Sequence, residues 1–304
     1  LFFASCSKQE NEVLLKQLDD IKAMGDTLPQ VAMQRLDSIK LLFDNETEYM
    51  RNKLALLEIR LQDKAYITHT TDKAIKNICS FFEEEGTEIE KQEAYYYMGS
   101  VYRDINDYPN AVTFFLKSAE IAEKAQDVDV KLLRNTYSQL SYLYKREFDY
   151  SEALNSILKG LTVSQKYGIK NSRDYANAAS CYFITNDTVK AIRYYNCIID
   201  NINNTDIDRT NSDIIAAAMG NYALSGYKNE ATHCFELLSR LNNEELPFNY
   251  LVNLAIYYEH VVSADSAAIT RLELYGATSR IESKYDAARW LTRYYTQKGE
   301  YEKA

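Results

Sequence analysis

The side chains best suited to metal binding or nucleophilic chemistry in this 304-residue chain are five cysteines and three histidines. The histidines, His69, His233 and His260, are widely spaced along the sequence, and no two cysteines form a C-x-x-C pair. A structural zinc site needs a cluster of four such ligands, so we expect no bound metal. Four cysteines lie in apolar helical segments and are expected to be small buried hydrophobic residues: Cys79, Cys181, Cys197 and Cys234.

Sequence motifs of catalysis and cofactor binding are missing. The chain contains no glycine-rich dinucleotide or phosphate loop, no G-x-S-x-G elbow and no H-E-x-x-H pair. Its 44 acidic residues occur on helical surfaces and in polar turns, where a solvated surface role is expected. We therefore predict that the protein is not an enzyme and uses no cofactor.

Cys6 is the one residue for which the sequence predicts a covalent modification. It ends the segment LFFASC, which resembles the end of a bacterial lipoprotein signal peptide: an apolar run, two small residues and a cysteine whose thiol carries a diacylglycerol. A diacylated and N-acylated cysteine has enough acyl chains for stable membrane anchoring. The resemblance implies a lipid anchor on Cys6 in the bacterial cell envelope, at the outer membrane or periplasmic face. The alternative is an ordinary apolar start of a strand or helix.

Composition limits the class of protein further. Hydrophobic residues make up 46% and charged residues 26% of the chain, which is typical of a folded, soluble protein. The formal charge of −9 argues against nucleic-acid binding, which normally needs a basic surface. Only 9 Gly and 3 Pro supply tight turns, fewer than a sandwich, barrel or doubly wound sheet normally needs. The sequence contains no run of about 18 apolar residues, so we predict no membrane-spanning helix within it.

The elements that position the side chains are predicted from residues 92–123, which contain two amphipathic helices and a short polar turn. In the first helix, Tyr95, Met98, Gly99 and Tyr102 follow the pattern W-x2-L-G-x2-Y, with Tyr in place of Trp. The second helix supplies A-x3-F. This pattern is the signature of the tetratricopeptide repeat (TPR), a helix A–turn–helix B hairpin. We expect the small residue of helix A to face the alanine that begins helix B.

The pattern recurs along the chain in phase. The alanines that begin helix B are spaced by 36 to 42 residues, more than the usual 34, and are Ala111, Ala153, Ala191, Ala231, Ala267 and Ala304. The fifth unit is looser, with Arg271 where an aromatic residue is expected. Since Ala304 begins helix B of the sixth unit, we expect more protein to follow, with further repeats, a membrane span or an effector domain.

The repeats predict an all-α protein, a right-handed α-α superhelical solenoid of TPR-like helix hairpins. Three regions are expected: a signal-peptide remnant with the lipobox cysteine and a polar tether at 1–11, degenerate hairpins that cap the array at 12–91, and about six TPR units at 92–304, the last incomplete. Terminal units of such stacks are usually atypical because one of their faces has no neighbour.

Ligand contacts are expected from the residues of helix A that packing does not use, since helix A lines the concave face of a TPR stack. These are Tyr96, Ser100, Arg103, Ser138, Tyr142, Lys145, Arg173, Asn177, Asn253, Arg289 and Arg293. The basic members could hold a carboxylate or an acidic peptide, with Arg favoured for its bidentate geometry. The alternative is that each pairs with a nearby acid, for instance Arg103 with Asp104 or Asp107.

Two segments resemble a family of TPR lipoproteins from Gram-negative anaerobic bacteria. They are the stretch around Asp63-Lys64-Ala65-Tyr66, from about residue 60 onward, and the earlier PQVAMQRLDSI. Members of that family often continue into a membrane span or signalling domain. Three functions follow as hypotheses: a membrane-tethered scaffold that binds an unidentified peptide or protein, the sensory ectodomain of a membrane signalling protein, and a glycan-binding nutrient lipoprotein. The third is disfavoured by the single Trp.

Overall fold

The computed structural model describes residues 2–169, 172–200, 209–241, 246–247 and 249–304. Side chains are described from residue 12 onward, apart from those of residues 209 and 210. The predicted attachment residue Cys6 therefore lies outside the described side chains. The predicted all-α architecture is confirmed, because the described residues form helices and turns and no strand.

The chain divides into two compact units, Leu1–Ile169 and Lys170–Ala304. Unit 1 contains α1 (Phe2–Gly25), α2 (Pro29–Ile39), α3 (Glu48–Lys64), α4 (Lys73–Glu85), α5 (Glu88–Asp104), α6 (Tyr108–Lys124), α7 (Val130–Arg146) and α8 (Tyr150–Lys166). Unit 2 contains α9 (Ser172–Ile184), α10 (Thr188–Ile199), α11 (Arg209–Leu224), α12 (Lys228–Leu238), α13 (Tyr250–Tyr257), α14 (Ala264–Ala277) and α15 (Ile281–Lys298). A 3₁₀ turn, Lys40–Phe43, follows α2.

Successive helices pack as hairpins, and the most extensive contacts join α5 to α6, α7 to α8 and α9 to α10. The predicted helix A and helix B segments therefore pair as expected. The core of unit 1 continues from Leu56 on α3 to Leu143 on α7. It therefore includes residues on both sides of the predicted boundary between the capping hairpins (12–91) and the TPR array (92–304). A second cluster in this unit joins α1, α2 and α3 around Ile21 and Leu36.

Several turns that follow an A helix close with the same type of hydrogen bond. In the α5–α6 turn, the backbone N–H of Asp107 donates to the carbonyl of Tyr102 at 2.9 Å. Equivalent 2.9 Å bonds join Asp149 to Tyr144, Asp187 to Tyr182, Tyr227 to Tyr222, and Glu300 to Tyr295. This six-residue closure ends helix A in the manner of a Schellman motif. The repeated tyrosine thus supplies both a packed ring and the last accepting carbonyl.

One residue of each of these turns has a positive φ, as the closure requires. It is Asn106 (62°), Asn186 (62°), Gly226 (81°) or Gly299 (75°), all residue types that tolerate this region. The α7–α8 turn is the exception, because it holds Phe148 at 60° with its ring exposed. The aspartates at 107, 149 and 187 then cap helix B by accepting from the backbone N–H three residues on.

The fifth hairpin replaces this turn with a π-helical segment, Tyr258–Val262, between α13 and α14. The closing bond is nevertheless kept, since the N–H of Ser263 donates to the carbonyl of Tyr258 at 2.7 Å. Arg271, which stands in the aromatic position of this unit, lies over the ring of Trp290 at 4.6 Å and pairs with Glu259 at 2.7 Å. A cation–π contact between α14 and α15 replaces the usual aromatic packing.

In the best-preserved hairpin, the small residue of helix A lies against an aromatic ring of helix B. Gly99 faces the ring of Phe115, where an added Cβ would lie 2.9 Å from ring atoms. The ring of Phe114 stacks on Tyr95 and Tyr102, with centroids 6.1 and 5.3 Å away. Full burial of Phe115 contributes about 1.5–3 kcal/mol, and the missing Cβ of Gly99 makes room for it.

The cysteines also differ in part from expectation. Cys79, Cys181 and Cys234 are buried as predicted, and burial raises the pKa of Cys79 and Cys234 to about 12. Cys197 is exposed, so its prediction as a buried residue is wrong. It follows Asn196 near the end of α10, where the helix turns this position away from the core formed by Tyr195 and Ile198.

Candidate ligand-binding surface

Arg103 is the centre of a polar network that joins three A helices of unit 1. Its guanidinium donates to Asp63 of α3 at 2.8 Å, to Asp104 of α5 at 2.8 Å, and to Gln139 Oε1 of α7 at 3.0 Å. The side chain is only 21% exposed. Such a densely hydrogen-bonded cation is fixed in position, so it holds the facing surfaces of α3, α5 and α7 in register.

Asp104 extends this network to the α3–α4 connection. It accepts from the backbone N–H of His69 at 3.1 Å and contacts the ring Nδ1 at 2.8 Å. Burial alone would raise the pKa of Asp104, but hydrogen bonds from His69 and Arg103 and the charge of Arg103 hold it below its ordinary value. Asp104 is therefore ionised at neutral pH and compensates the charge of Arg103.

The alternative that Arg103 pairs with a nearby acid is observed for Asp104, and Asp63 is a second partner that sequence reasoning missed. Asp63 is 40 residues away in sequence, so no local spacing could indicate it. Gln139 was missed for the same reason. With its Oε1 accepting from Arg103, the amide nitrogen of Gln139 has no hydrogen-bond partner within the described part of the chain. The network thus orients an amide whose donor groups are available.

Tyr96 and Ser100 of α5 lie inside unit 1. Tyr96 is 5% exposed, and its ring makes edge contacts with Tyr97 and Phe115 at centroid distances of 5.0 and 5.3 Å. Ser100 is fully buried. Every residue from Gln92 to Tyr102 is buried, since α5 contacts α3, α4, α6 and α7. The predicted ligand-facing side of α5 is therefore covered at these two positions.

The residues predicted on α7 are more accessible. Tyr142 is 46% exposed, and its hydroxyl accepts from Arg146 at 3.1 Å. The guanidinium of Arg146 also lies over the rings of Tyr108 and Tyr142, at 4.7 and 6.0 Å from their centroids. Lys145 is half-buried and has no ion pair among the described residues, and Ser138 is half-buried. Arg146 was missed, although its position four residues after Tyr142 places it on the same helix face.

A second charged network lies deeper in unit 1. Glu93 is buried, and it accepts from Lys22 at 2.6 Å and from Arg60 at 3.1 Å. Arg60 also donates to Asp26 at 2.8 Å. Burial would raise the pKa of Glu93, but the charges of Lys22 and Arg60 lower it below its ordinary value. These contacts tie α1 and α3 to α5.

Glu90 forms the neighbouring part of this network. It accepts from Tyr49 at 2.5 Å and from Lys53 at 2.9 Å, and it completes a capping box with Thr87 at the start of α5. Although burial acts in the opposite direction, these hydrogen bonds lower the pKa of Glu90 to about 2. A cavity of about 40 Å³ beside Lys53 has room only for a few water molecules.

The residues predicted in unit 2 form a separate set. Arg173 and Asn177 lie on α9, Arg173 exposed and Asn177 half-buried. Asn253 of α13 donates to the carbonyl of Asn249 at 2.9 Å and packs directly over Gly220 of α11. Gly220 is therefore a close-approach position, where an added side chain would collide with Asn253.

Arg289 and Arg293 stand one turn apart on α15. Both are exposed, and neither has an ion pair within the part of the chain that the structure describes. The structure thus brings together Ser138, Tyr142 and Lys145 on α7 and, independently, the arginine pair on α15. Among the described residues, no group of three His, Cys, Asp or Glu side chains could hold a metal ion, and no helix is long and apolar enough to cross a membrane.

No protein-family model matches the sequence, and a comparison with curated proteins gave no match. Solved structures do match. The apo form of the quorum sensor NprR from B. thuringiensis has a TM-score of 0.65 at 14% identity, covering 94% of this chain and 82% of that one. NprR in complex with its cognate peptide NprX has a TM-score of 0.55 at 13% identity. The match covers 95% of this chain and 86% of the NprR chain.

A signal-transduction ATPase with a tetratricopeptide repeat sensor, from Pyrococcus horikoshii, matches with a TM-score of 0.60 at 14% identity. The match covers 94% of this chain but only 42% of the ATPase. At such identities the similarity establishes the fold alone. The chain is an all-α protein of TPR-like helix hairpins, as the repeat pattern predicts.

Proposed function

We propose that this chain is a non-enzymatic binding protein that holds an extended peptide or protein segment on the A helices of its hairpins. The observation that supports the proposal is the surface formed by α3, α5 and α7 in unit 1. There Arg103 donates hydrogen bonds to the carboxylates of Asp63 and Asp104, and its hydrogen bond to Gln139 orients the Gln139 amide. NprR, which shares the fold, has been solved with a cognate peptide. A rigid surface with oriented donors is suited to binding because little entropy is lost on ordering it.

Arg103 acts in this proposal as a positioning residue. Its charge is already compensated by Asp63 and Asp104, so a ligand carboxylate gains little by approaching it. Gln139 makes the contact instead, because its amide nitrogen donates and a peptide carbonyl accepts. This assignment modifies the hypothesis that Arg103 binds the ligand directly.

The rest of the surface on α7 supplies a flat aromatic contact and unpaired positive charge. Tyr142 offers a half-exposed ring held by Arg146, and Lys145 offers an ammonium group that has no ion pair among the described residues. Aromatic and arginine side chains dominate the binding energy of most interfaces. We propose that a ligand segment crosses α7 with a carbonyl on Gln139 and an acidic side chain near Lys145.

In unit 2 the proposed contacts are Arg173, Asn177, Asn253, Arg289 and Arg293. The pair on α15 is the strongest of these. Its two guanidinium groups stand one turn apart, have no ion pair among the described residues, and favour an anionic ligand group. Asn253 is held against Gly220 and keeps a fixed orientation. Each unit therefore has its own set of proposed ligand contacts.

Peptide selection with matched tyrosine variants tests the proposal. A random 12-residue peptide display library is selected against the full chain, and the affinity of the enriched peptides is measured by fluorescence anisotropy. We expect Tyr142→Ala to weaken binding about tenfold, or by about 1.4 kcal/mol. Tyr167→Ala is the control, because Tyr167 is 49% exposed on the same unit but lies at the end of α8. Failure to enrich any peptide, or equal losses in the two variants, would contradict the proposal.

Membrane tethering through Cys6 is a further part of the proposed function. It is supported by the LFFASC segment and by the resemblance to TPR lipoproteins of Gram-negative anaerobes, and it implies a location in the cell envelope. Expression of the full-length precursor with radiolabelled palmitate tests it. We expect label in the wild-type protein and none in Cys6→Ser, and label in both variants or neither would count against the anchor.

A sensory role is the second candidate. It is favoured by the similarity to the ATPase whose repeats are described as a sensor. In that role the same surface would bind a ligand, and the response would be produced by an effector in the rest of the protein. Peptide binding alone is common to both candidates, whereas a ligand-dependent change in an attached effector would be specific to the sensor.

A further inference from the structure

Helix α15 of unit 2 has one face that is exposed along its length. The helix packs mainly against α14, and on that side Ala287 and Leu291 are buried. The opposite face carries two large apolar side chains, Ile281 at 79% and Tyr285 at 64% exposure. Apolar side chains exposed together on one helix face, with polar residues beside them, are typical of an interaction surface.

A stripe of four charged residues runs along the same exposed face. At successive spacings of four, three and four residues, which helix geometry places in one row, it contains Glu282, Asp286, Arg289 and Arg293. All four are exposed, and none has an ion pair within the described part of the chain. The two acids stand one turn apart, as do the two arginines, and like charges at this spacing repel each other. Each half of the stripe therefore lacks opposite charge.

The stripe is complementary in charge to its own reverse. Glu282 lies as far from the midpoint of the stripe as Arg293 does, and Asp286 lies as far from it as Arg289. When two copies of α15 lie antiparallel about a two-fold axis through this midpoint, Glu282 is opposite Arg293 of the second copy. Asp286 is then opposite Arg289 of the second copy. Every charge of the stripe is paired, and the same patch is used on both copies, as in an isologous interface.

We propose that a second copy of this chain docks on the exposed face of α15 and forms an antiparallel dimer with two-fold symmetry. Exposed ion pairs each contribute little energy, so their role is to set the direction and register of the two helices. Ile281 and Tyr285, beside the stripe, supply apolar contact area. A purely anionic ligand would neutralise the arginines but would be repelled by Glu282 and Asp286, whereas a second copy satisfies both halves. The inference does not depend on the peptide surface proposed for unit 1.

Sedimentation equilibrium of the full chain tests this proposal. We expect a monomer–dimer equilibrium in which the dissociation constant rises at least about tenfold between about 50 mM and about 500 mM NaCl, because salt screens exposed charges. A chain that is monomeric at about 100 µM would overturn the proposal, and the face would then belong to a different partner.

Two complementary variants identify the interface. The basic variant carries Glu282→Arg and Asp286→Arg. The acidic variant carries Arg289→Glu and Arg293→Glu. Each variant alone places like charges opposite each other, so we expect it to be monomeric, and we expect the equimolar mixture to form a heterodimer because opposite charges then meet at every position. A dimer that persists in either variant alone, or a mixture that stays monomeric, would contradict the antiparallel pairing.

Arg35→Glu is the control for charge reversal at a site away from α15, because Arg35 is exposed on α2. It should change the dissociation constant of the dimer by less than about twofold. A loss of dimer equal to that in the acidic variant would show general electrostatic repulsion and would overturn the interface. Circular dichroism verifies that every variant keeps its helix content.

Discussion

Arg103 Nη2 lies 2.8 Å from Asp63 Oδ1, although 40 residues separate the two in sequence. This contact joins α5 to α3, while Nη1 of the same guanidinium reaches Gln139 on α7. A residue that resembles a free ligand-binding cation in the sequence is therefore a cross-link between three helices. We therefore expect Arg103 to contribute to the stability of the folded protein.

We predict that Arg103→Ala lowers the free energy of unfolding by about 3 kcal/mol, since it leaves the carboxylates of Asp63 and Asp104 without their cation. Lys145→Ala should change it by less than about 0.5 kcal/mol, because Lys145 has no ion pair among the described residues. Urea denaturation followed by circular dichroism measures both. Similar small losses in the two variants would mean that Arg103 does not join the helices.

The α7–α8 turn predicts a stabilising substitution. Phe148 has a φ of 60°, which costs an ordinary L-residue about 1–2 kcal/mol, and its exposed ring gains little from packing. Phe148→Gly should therefore raise the melting temperature. Gly226→Ala, at the equivalent place of the α11–α12 turn, should lower it. Thermal denaturation checks the pair, and changes of the same sign would contradict the explanation.

Gly99 and Gly276 form a second matched pair, both within helices. Gly99→Ala places a methyl group 2.9 Å from the Phe115 ring and should cost about 1–3 kcal/mol through overpacking. Gly276→Ala meets no atom within 4 Å, so it should be neutral or stabilise the protein by up to about 1 kcal/mol. Chemical denaturation distinguishes these results, and a stabilising Gly99→Ala would rule out the close approach.

Acid should destabilise unit 1. The pKa of Glu90 is lowered to about 2 in the folded protein, while a free glutamate titrates at 4.5. A group with a lowered folded pKa stabilises the protein fully above its unfolded pKa, and this contribution is lost as the pH falls from about 4.5 towards 2. Melting temperatures measured across this range should fall more steeply for the wild type than for Glu90→Gln. Parallel curves would show that Glu90 is not linked to folding.

Much of the fold follows from short-range patterns in the sequence. Tyr102, Ala111 and Phe115 mark one hairpin because each occupies a position whose neighbours are fixed by helix geometry. The short polar turn between the two helices is part of the same local pattern. These features depend on spacings of fewer than 20 residues, so they can be predicted from the local sequence pattern alone.

The candidate surface was less predictable because it depends on contacts between hairpins. Tyr96 is next to Tyr95 and Tyr97 on a helix that other helices surround, so the side expected to face a ligand is buried as well. Gln139 has no local signal at all, since its role comes from Arg103, 36 residues earlier. Which polar residue is oriented at a surface is decided by these tertiary contacts.

Gln139→Glu is the substitution that tests peptide binding by unit 1 most directly. It keeps an oxygen for Arg103 but replaces the free amide nitrogen, the proposed donor, with a second oxygen that cannot donate. Gln126→Glu introduces the same charge at an exposed position in the α6–α7 connection and is the matched control. Affinity for a peptide selected against the full chain is measured for both. We predict a loss of about tenfold for Gln139→Glu and less than about twofold for Gln126→Glu, with melting temperatures unchanged. Equal affinities of the two variants would contradict binding at this surface.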